Sequence, residues 1–341
     1  MKALYATAPG EYSLADRPKP APGVGEALVK VTRTGFCMND VRVRDGVLRH
    51  GYPVIPGHQF AGVVEACGPE VNDCAPGDRV AVHSYVLCGQ CPSCRKGGVH
   101  DCDNFRILGF TLDGGLAEYC VVPARCLFKL PDDVTLEEGS LVENLASAVA
   151  AVRLARLEVA ERVVIVGATP IGLLALQVAR LTSPSTLVMA GAGDRRLALA
   201  ERLGASHTVD IEQTEARARL SEILGTRGAD AVLVCGYSRT EAELAMEVVG
   251  SLGRIVIEGH FDPTAEITLS PHRLLVTRAV SVQANRGWLT PDFMRAHELV
   301  AGGMVDVKPL VTHTFSLQDW EQAFDIFTNQ ESQAVQVVLA P

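Results

Sequence analysis

The sequence lacks the features that would mark a membrane, secreted or nucleic-acid-binding protein. No segment approaches the roughly 18 consecutive apolar residues of a membrane-spanning helix. The first residues contain no long apolar stretch of the kind found in signal peptides. Acidic residues outnumber basic ones by 40 to 31, so the formal net charge of -9 leaves no basic surface for nucleic acid. We therefore expect a cytoplasmic protein without nucleic-acid or membrane partners.

The chain is long enough, and apolar enough, to fold into about two globular domains. It has 341 residues, of which 48% are hydrophobic and 21% are charged. Ten cysteines are present. In a reducing compartment these thiols do not form a disulfide framework, so closely spaced cysteines indicate metal binding or catalysis instead.

The first 150 residues have the pattern of a β-rich module. Short runs of β-forming residues occupy residues 27–32, 61–65 and 79–82, and turns rich in glycine and proline separate them. We expect a β-rich domain over residues 1–150, completed by the mixed short elements of residues 286–341.

The pattern changes after residue 150, where apolar runs alternate with helical periodicity. Strands are predicted at residues 162–166, 186–189, 231–234 and 254–257, and helices at residues 173–181, 195–203 and 241–249. Continuous apolar runs are typical of parallel strands buried on both faces. The alternation predicts a doubly wound α/β domain over residues 151–285.

Four cysteines with metal-ligand spacing are the strongest local motif. Cys88, Cys91, Cys94 and Cys102 follow the pattern C-x2-C-x2-C-x7-C. Four thiolates suit tetrahedral zinc and leave no position for water, so such a site is structural rather than catalytic. An iron–sulfur cluster also uses four thiolates and stays an alternative at this point. Five further cysteines show no ligand spacing and are expected to act as small hydrophobic residues: Cys67, Cys74, Cys120, Cys126 and Cys235.

Three more residues could form a second metal site. Cys37, His58 and Glu143 are each competent zinc ligands, and three protein ligands leave one position open for substrate. Their spacing along the chain does not show that they meet. Four isolated histidines, His50, His83, His100 and His260, are expected to be structural.

The ordered set of motifs resembles the zinc-containing medium-chain dehydrogenases, which include alcohol, sorbitol and threonine dehydrogenases. The resemblance covers nearly the whole chain. It rests on the Cys37 loop, Gly57-His58, Gly77-Asp78-Arg79-Val80, the four cysteines, the segment Asp113 to Tyr119, Glu143 and the glycine turn at Gly167.

This resemblance implies a GroES-like β-rich catalytic domain joined to a Rossmann nucleotide-binding domain. Cys37, His58 and Glu143 fall on the catalytic-zinc ligand positions, and Asp40 falls on a position that orients the site. Two zinc ions per chain are implied, one structural and one that polarises the oxygen of a small hydroxyl or carbonyl substrate. Hydride then passes between the substrate carbon and a nicotinamide cofactor. Relatives form homodimers or homotetramers, and the same is expected here.

Three residues depart from the family pattern close to the predicted ligands. Gln59 stands where the family usually has glutamate, which removes a negative charge from the site. Asn39 replaces a relay serine or threonine, and Arg42 replaces a relay histidine. Neither side chain passes a proton as a hydroxyl or imidazole does. We expect water or a substrate hydroxyl to take over this proton transfer.

The cofactor is expected to bind at a glycine turn between a strand and a helix. Gly167, Thr169, Pro170, Ile171 and Gly172 occupy this turn, with threonine in place of the middle glycine of the dinucleotide motif.

The end of the next strand bears on the choice of nicotinamide cofactor. Gly191 takes the position at which an acidic residue usually binds the ribose of NAD, and Arg195 and Arg196 follow. This arrangement favours NADP. NAD stays the alternative, with Asp194 reaching the ribose and the two arginines solvated.

The sequence thus favours a zinc- and nicotinamide-dependent dehydrogenase that acts on a secondary alcohol, polyol, sugar or cyclitol. Two alternatives stay open. One is a reductase of the same fold that reduces an activated C=C bond without zinc chemistry. The other is a non-catalytic protein that senses a nucleotide.

Overall fold

The computed structural model describes residues 1–48, 51–259, 261 and 264–341, and it divides them into two units. Unit 1 comprises Met1–Glu143 and Leu289–Pro341, and unit 2 comprises Asn144–Trp288. The sequence places the two divisions at residues 150 and 285 instead. The observed boundary after Glu143 and the predicted boundary at residue 150 both fall within one helix, Val142–Ala155, whose first two residues belong to unit 1.

Seventeen strands occur along the described chain. In order they are β1 (Lys2–Ala8), β2 (Glu11–Asp16), β3 (Glu26–Gly35), β4 (Gln59–Cys67), β5 (Arg79–Val82), β6 (Tyr85–Val86), β7 (Arg106–Ile107), β8 (Tyr119–Pro123), β9 (Leu127–Lys129), β10 (Arg162–Val166), β11 (Thr186–Gly191), β12 (His207–Asp210), β13 (Ala229–Val234), β14 (Val249–Ile257), β15 (Ser281–Ala284), β16 (Val311–Ser316) and β17 (Gln336–Ala340).

Ten α-helices occur in the same residues, with a short π-helix at Pro271–Thr277. The α-helices are α1 (Met38–Arg44), α2 (Pro92–Arg95), α3 (Leu136–Gly139), α4 (Val142–Ala155), α5 (Pro170–Arg180), α6 (Asp194–Arg202), α7 (Ala216–Leu224), α8 (Arg239–Val248), α9 (Thr290–Ala301) and α10 (Trp320–Thr328). No helix of the described residues is both long and apolar enough to cross a bilayer.

Unit 1 is organised around the long strand β3. β4 pairs with one edge of β3, while β8 and β17 pair with different ends of the other edge, all antiparallel. Because β17 comes from the end of the chain, the last residues complete the sheet that the first residues begin. β5, β9 and β16 extend this seven-stranded sheet. This is the β-rich, GroES-like architecture that the resemblance implied.

Unit 2 is a six-stranded parallel sheet in the order β12-β11-β10-β13-β14-β15. The inner strands β10, β11, β13 and β14 are largely apolar, and Val163 to Val166 of β10 are fully buried. The strand order reverses direction at β10, whose neighbours β11 and β13 lie on opposite sides. In doubly wound sheets such a switch point is where a nucleotide binds. The predicted Rossmann fold is confirmed.

Candidate functional site

The four predicted zinc cysteines lie together in unit 1. The sulfur atoms of Cys88, Cys91, Cys94 and Cys102 all lie within 4.8 Å of one another. Cys91 caps helix α2, where its sulfur accepts the Cys94 N–H at 3.4 Å, and the Cys88 N–H donates to the sulfur of Cys102 at 3.4 Å. The local chain path, turned by Gly89 and Gly97 at positive φ, brings the thiols to one point.

This lobe fits a zinc ion by its geometry. The Cys88 and Cys94 sulfur atoms lie 3.9 Å apart. A tetrahedral ion with zinc–sulfur bonds of about 2.3 Å requires an edge of about 3.8 Å. Backbone N–H groups, that of Cys94 foremost, lower the pKa of Cys91 to about 6. Burial and the neighbouring thiols raise the pKa of Cys94. The four thiols therefore require a cation if all are to ionise together.

Cys37 and His58 are joined in space by one buried carboxylate. Cys37 precedes helix α1, and its backbone N–H donates to Asp40 Oδ2 at 2.8 Å. His58 precedes strand β4, and its Nδ1 lies 3.3 Å from Asp40 Oδ1. This distance is short enough for an ion pair, but the two groups are not aligned for a hydrogen bond. Asp40 thus faces one nitrogen of His58, which leaves Nε2 as the nitrogen for a metal ion. This pairing of carboxylate and histidine is characteristic of zinc sites.

The surroundings of His58 favour positive charge. Burial, the largest single effect, lowers the pKa of His58, whereas Asp40, Cys37 and Glu143 together raise it. The net pKa lies well above its usual value. The negative groups that face His58 would also attract a metal cation, and metal binding requires the imidazole to be neutral.

Glu143 reaches this region through Gln59. The Gln59 Nε2 donates to Glu143 Oε2 at 2.8 Å, and both side chains are buried. Gln59 begins strand β4 directly after His58, and Glu143 lies in the first turn of α4. A glutamate at position 59 would place two carboxylates against each other here. The amide instead supplies a hydrogen-bond donor to the Glu143 carboxylate.

The three predicted catalytic ligands do not form a cluster as tight as the lobe. In the part of the chain that the structure describes, only the four-cysteine group brings three or more ligand atoms within 4.8 Å of one another. Cys37 and His58 are linked through Asp40, and Glu143 is held by Gln59. The donor set of thiolate, imidazole and carboxylate still fits zinc chemically, since two negative charges would balance a divalent ion.

Several neighbours of this site could not be found from sequence. Gln336 of β17 donates from Nε2 to the Phe36 carbonyl at 2.9 Å and supports the loop that carries Cys37. The Phe110 ring packs edge-on against His58, with centroids 4.9 Å apart. No motif marks these residues, because contacts across 300 and 52 positions depend on the tertiary fold.

Asn39 and Arg42, which replace the relay residues of the family, lie on helix α1. Asn39 follows Cys37 by two positions, and its buried Oδ1 has no hydrogen-bond partner among the residues that the structure describes. Arg42 is half-buried in the last turn. Of the isolated histidines, His83 is buried against Phe128 and Phe293, which supports a structural role. His50 and His260 lie outside the described residues.

The predicted cofactor turn in unit 2 follows β10 and opens helix α5. Gly167 adopts φ 106, and a Cβ there would lie 2.3 Å from the Gly236 nitrogen, so only glycine fits. Thr169 is the N-cap of α5: its hydroxyl accepts the Gly172 N–H at 3.1 Å and donates to the Cys235 carbonyl at 2.9 Å. Pro170 and Ile171 form the first turn of this helix, whose N-terminus is a suitable environment for phosphate.

The predicted ribose position lies at the end of β11. Gly191 is the last residue of that strand, and a Cβ there would lie 2.7 Å from both the nitrogen and the Cβ of Ala168. An acidic side chain would therefore collide with the glycine turn. Arg195 is exposed in the first turn of α6, while Arg196 is half-buried, and burial lowers its pKa.

Known proteins match this chain over both units. Residues 23–132 match the model of the alcohol dehydrogenase GroES-like domain, and residues 170–302 match that of the zinc-binding dehydrogenases. L-threonine 3-dehydrogenase of Pyrococcus horikoshii is 31% identical over 96% of this chain and 95% of its own length. Sorbitol dehydrogenase of Halalkalibacterium halodurans is 29% identical over 100% of this chain and 99% of its own length.

A solved structure is similar over the same length. It is that of a protein from Sinorhizobium meliloti 1021 described as a zinc-binding dehydrogenase and bound to NADP. The two chains share 30% identity, with a TM-score of 0.92 over 100% of this chain and 99% of the other.

Proposed function

Because the chain belongs to the zinc-containing medium-chain dehydrogenase family, we propose that it oxidises a secondary alcohol rich in hydroxyl groups, or reduces the corresponding ketone, with a nicotinamide cofactor. The observation that carries this proposal is the buried Asp40 carboxylate, which binds the backbone of Cys37 and faces His58. Polyols, sugars and cyclitols are the substrate classes that we propose.

Each side chain has a distinct part in this proposal. Cys37, His58 and Glu143 would hold a zinc ion, which when bound supplies a Lewis acid for the substrate oxygen. Asp40 faces Nδ1 of His58 and would leave Nε2 as the nitrogen that binds the metal. Gln59 orients Glu143 and adds no negative charge, so the site stays close to neutral with a divalent ion. The hydride chemistry belongs to the nicotinamide.

Asn39 supports a hydroxyl-rich substrate. Within the described part of the chain its buried Oδ1 has no hydrogen-bond partner, which is a costly arrangement for a polar atom. A substrate hydroxyl beyond the reacting one would donate to this oxygen. An amide does not relay a proton, so the reacting proton would leave through water or through such a hydroxyl.

We expect the purified protein to contain two zinc ions per chain and to turn over polyhydroxylated alcohols in preference to simple ones. Metal analysis gives the zinc content, and nicotinamide absorbance gives rates for polyols, aminocyclitols and one-hydroxyl alcohols. The preferred polyol should exceed 2-propanol in kcat/KM by about tenfold or more, the effect of one or two additional hydrogen bonds.

Two outcomes would contradict this proposal in different ways. Faster turnover of simple alcohols would contradict the substrate class while leaving the dehydrogenase intact. A single zinc confined to the lobe, without alcohol oxidation, would favour a C=C reductase or a nucleotide-sensing protein.

We further propose that NADP is the preferred cofactor. The absence of an acidic side chain at Gly191, the nearby Arg195 and Arg196, and the NADP-bound relative support this preference. Arg196→Ala is expected to lower kcat/KM for NADP about 10- to 100-fold, because a charge-assisted hydrogen bond contributes about 1.5–3 kcal/mol. In the same variant, kcat/KM for NAD should change less than about threefold, because NAD has no 2′-phosphate to accept this hydrogen bond.

Steady-state kinetics with both cofactors measures this effect. Arg202→Ala is the matched control, since Arg202 is exposed in the last turn of the same helix. Equal losses with NAD and NADP, or a wild-type preference for NAD, would assign the arginines to a role other than binding the 2′-phosphate.

A further inference from the structure

Two cysteines outside both predicted zinc sites lie in contact with each other. The sulfur atoms of Cys67 and Cys74 are 3.8 Å apart, and the Cys67 sulfur is also 3.4 Å from the Cys74 carbonyl oxygen. Their sequence spacing indicated only small hydrophobic residues. The tertiary structure makes them a thiol pair at one end of the unit 1 sheet.

The loop between β4 and β5 holds the two thiols together. Cys67 is the last residue of β4, and the chain then returns toward this strand. The Gly77 N–H donates to the Val64 carbonyl, and the Val64 N–H donates to the Asp78 carbonyl. Next to Cys74, the Ala75 N–H donates to Asp78 Oδ2 at 2.8 Å. Backbone contacts on the far side of Cys74 therefore fix its position beside Cys67.

The two thiols differ in their access to solvent. Cys67 is half-buried, whereas Cys74 is only 9% exposed at the edge of the apolar cluster that includes Val64 and Val80. Burial, followed by the hydrogen bond to Cys67, raises the pKa of Cys74 to about 11. A soluble oxidant therefore reaches Cys67 first, and Cys74 is placed to react with the product.

A metal site does not explain this pair. Metal binding by cysteine needs further ligands, and the pair has none in the described ranges, where the lobe is the only group with three or more ligand atoms within 4.8 Å. Oxidation needs no further ligand. To form a disulfide, the two sulfur atoms must approach from 3.8 Å to about 2.05 Å.

We propose that Cys67 and Cys74 are a redox modification site, at which a hydroperoxide such as hydrogen peroxide generates a reversible intramolecular disulfide. In the first step the Cys67 sulfur attacks a peroxide oxygen and the O–O bond breaks. The sulfur becomes a sulfenic acid, and the leaving hydroxide combines with the proton lost by the Cys67 thiol to give water. In the second step the Cys74 sulfur attacks the Cys67 sulfur and the S–O bond breaks. The leaving hydroxide takes up the proton of the Cys74 thiol and departs as water. Two thiols and one hydrogen peroxide give one disulfide and two waters.

The chain offers a direct assay of this reaction by mass spectrometry. The zinc-loaded protein is treated with hydrogen peroxide, alkylated under denaturing conditions and digested with trypsin. Residues 50–79 form one tryptic peptide, which contains Cys67 and Cys74 and no other cysteine. We expect this peptide to escape alkylation and to weigh about 2 Da less than its dithiol form, with full reversal by a dithiol reductant.

Internal and variant controls make the result specific. The tryptic peptide of residues 107–125 contains Cys120 as its one cysteine and should remain alkylated, because that thiol is buried and donates to the Asp113 and Val121 carbonyls. In Cys74→Ser the sulfenic acid on Cys67 should persist and be trapped by dimedone. In Cys67→Ser, Cys74 should stay reduced. The zinc content should not change in any of these samples, which separates the reaction from oxidation of the lobe.

Two results would overturn the proposal. Both thiols could remain alkylatable at peroxide doses that oxidise other cysteines of the protein. Alternatively, Cys67 could proceed to sulfinic acid without forming the disulfide. Neither result would bear on the proposed dehydrogenase activity, because the pair lies outside the residues assigned to it.

Discussion

Replacing Cys37 with serine is expected to reduce kcat/KM about a thousandfold and to lower the zinc content from two ions per chain to one. Serine has nearly the shape of cysteine but is not a thiolate ligand at neutral pH. The predicted site then holds only His58 and Glu143, too few ligands to retain zinc. Loss of a Lewis acid that stabilises the transition state by several kcal/mol corresponds to about three orders of magnitude in rate.

The measurement combines metal analysis with steady-state kinetics on the preferred alcohol. Cys67→Ser is the matched control, because it makes the same chemical change in unit 1 outside the predicted site, and it should keep both zinc ions and full turnover. Thermal unfolding should be similar for the two variants. If Cys37→Ser kept two zinc ions and near-normal turnover, the assignment of Cys37 as a ligand would be wrong.

Replacing Cys91 with serine is expected to have the largest effect on stability. Cys91 has two structural tasks: it is a predicted zinc ligand, and its sulfur accepts the Cys94 N–H at the start of helix α2. Without the metal, the lobe loses the interaction that offsets the entropy of ordering this glycine-rich loop. A loss of about 3–5 kcal/mol corresponds to a fall of roughly 10 °C in Tm for a unit of this size.

This variant should keep one zinc ion and part of its activity, which separates it from Cys37→Ser. Calorimetry gives the change in Tm, and metal analysis identifies the lost ion. Cys126→Ser is a suitable control, since that residue is a buried cysteine of the same unit outside the lobe. An unchanged Tm with two zinc ions retained would show that the four-thiol lobe does not depend on Cys91.

The predicted secondary structure of unit 2 agrees closely with the fold. The run of residues 162–166 coincides with β10, and the helix expected at residues 173–181 is α5, which begins earlier at Pro170. Fully buried strands have a continuous apolar sequence, so their ends are visible in the chain. The first residue of a helix is harder to predict from the sequence, because it depends on a single capping side chain. Here that residue is Thr169, whose capping role is not evident from its place in a glycine turn.

Local spacing was also sufficient for the four-cysteine lobe. Ligands within a span of 15 residues are brought together by the turns between them, and those turns are encoded by nearby glycines and proline. The same reasoning predicts the glycine turn at Gly167, since a strand, a turn and a helix are consecutive in the chain.

The sequence by itself therefore determined the parts whose geometry is local: the lobe, the nucleotide-binding strands and the family. Only the tertiary structure placed Asp40 against His58 and Gln59 against Glu143, a pair separated by 84 residues. It also brought Gln336 to the Cys37 loop and Cys74 to Cys67. The physical reason is that such contacts depend on strand register and on how loops return to the sheet, which residue spacing does not specify.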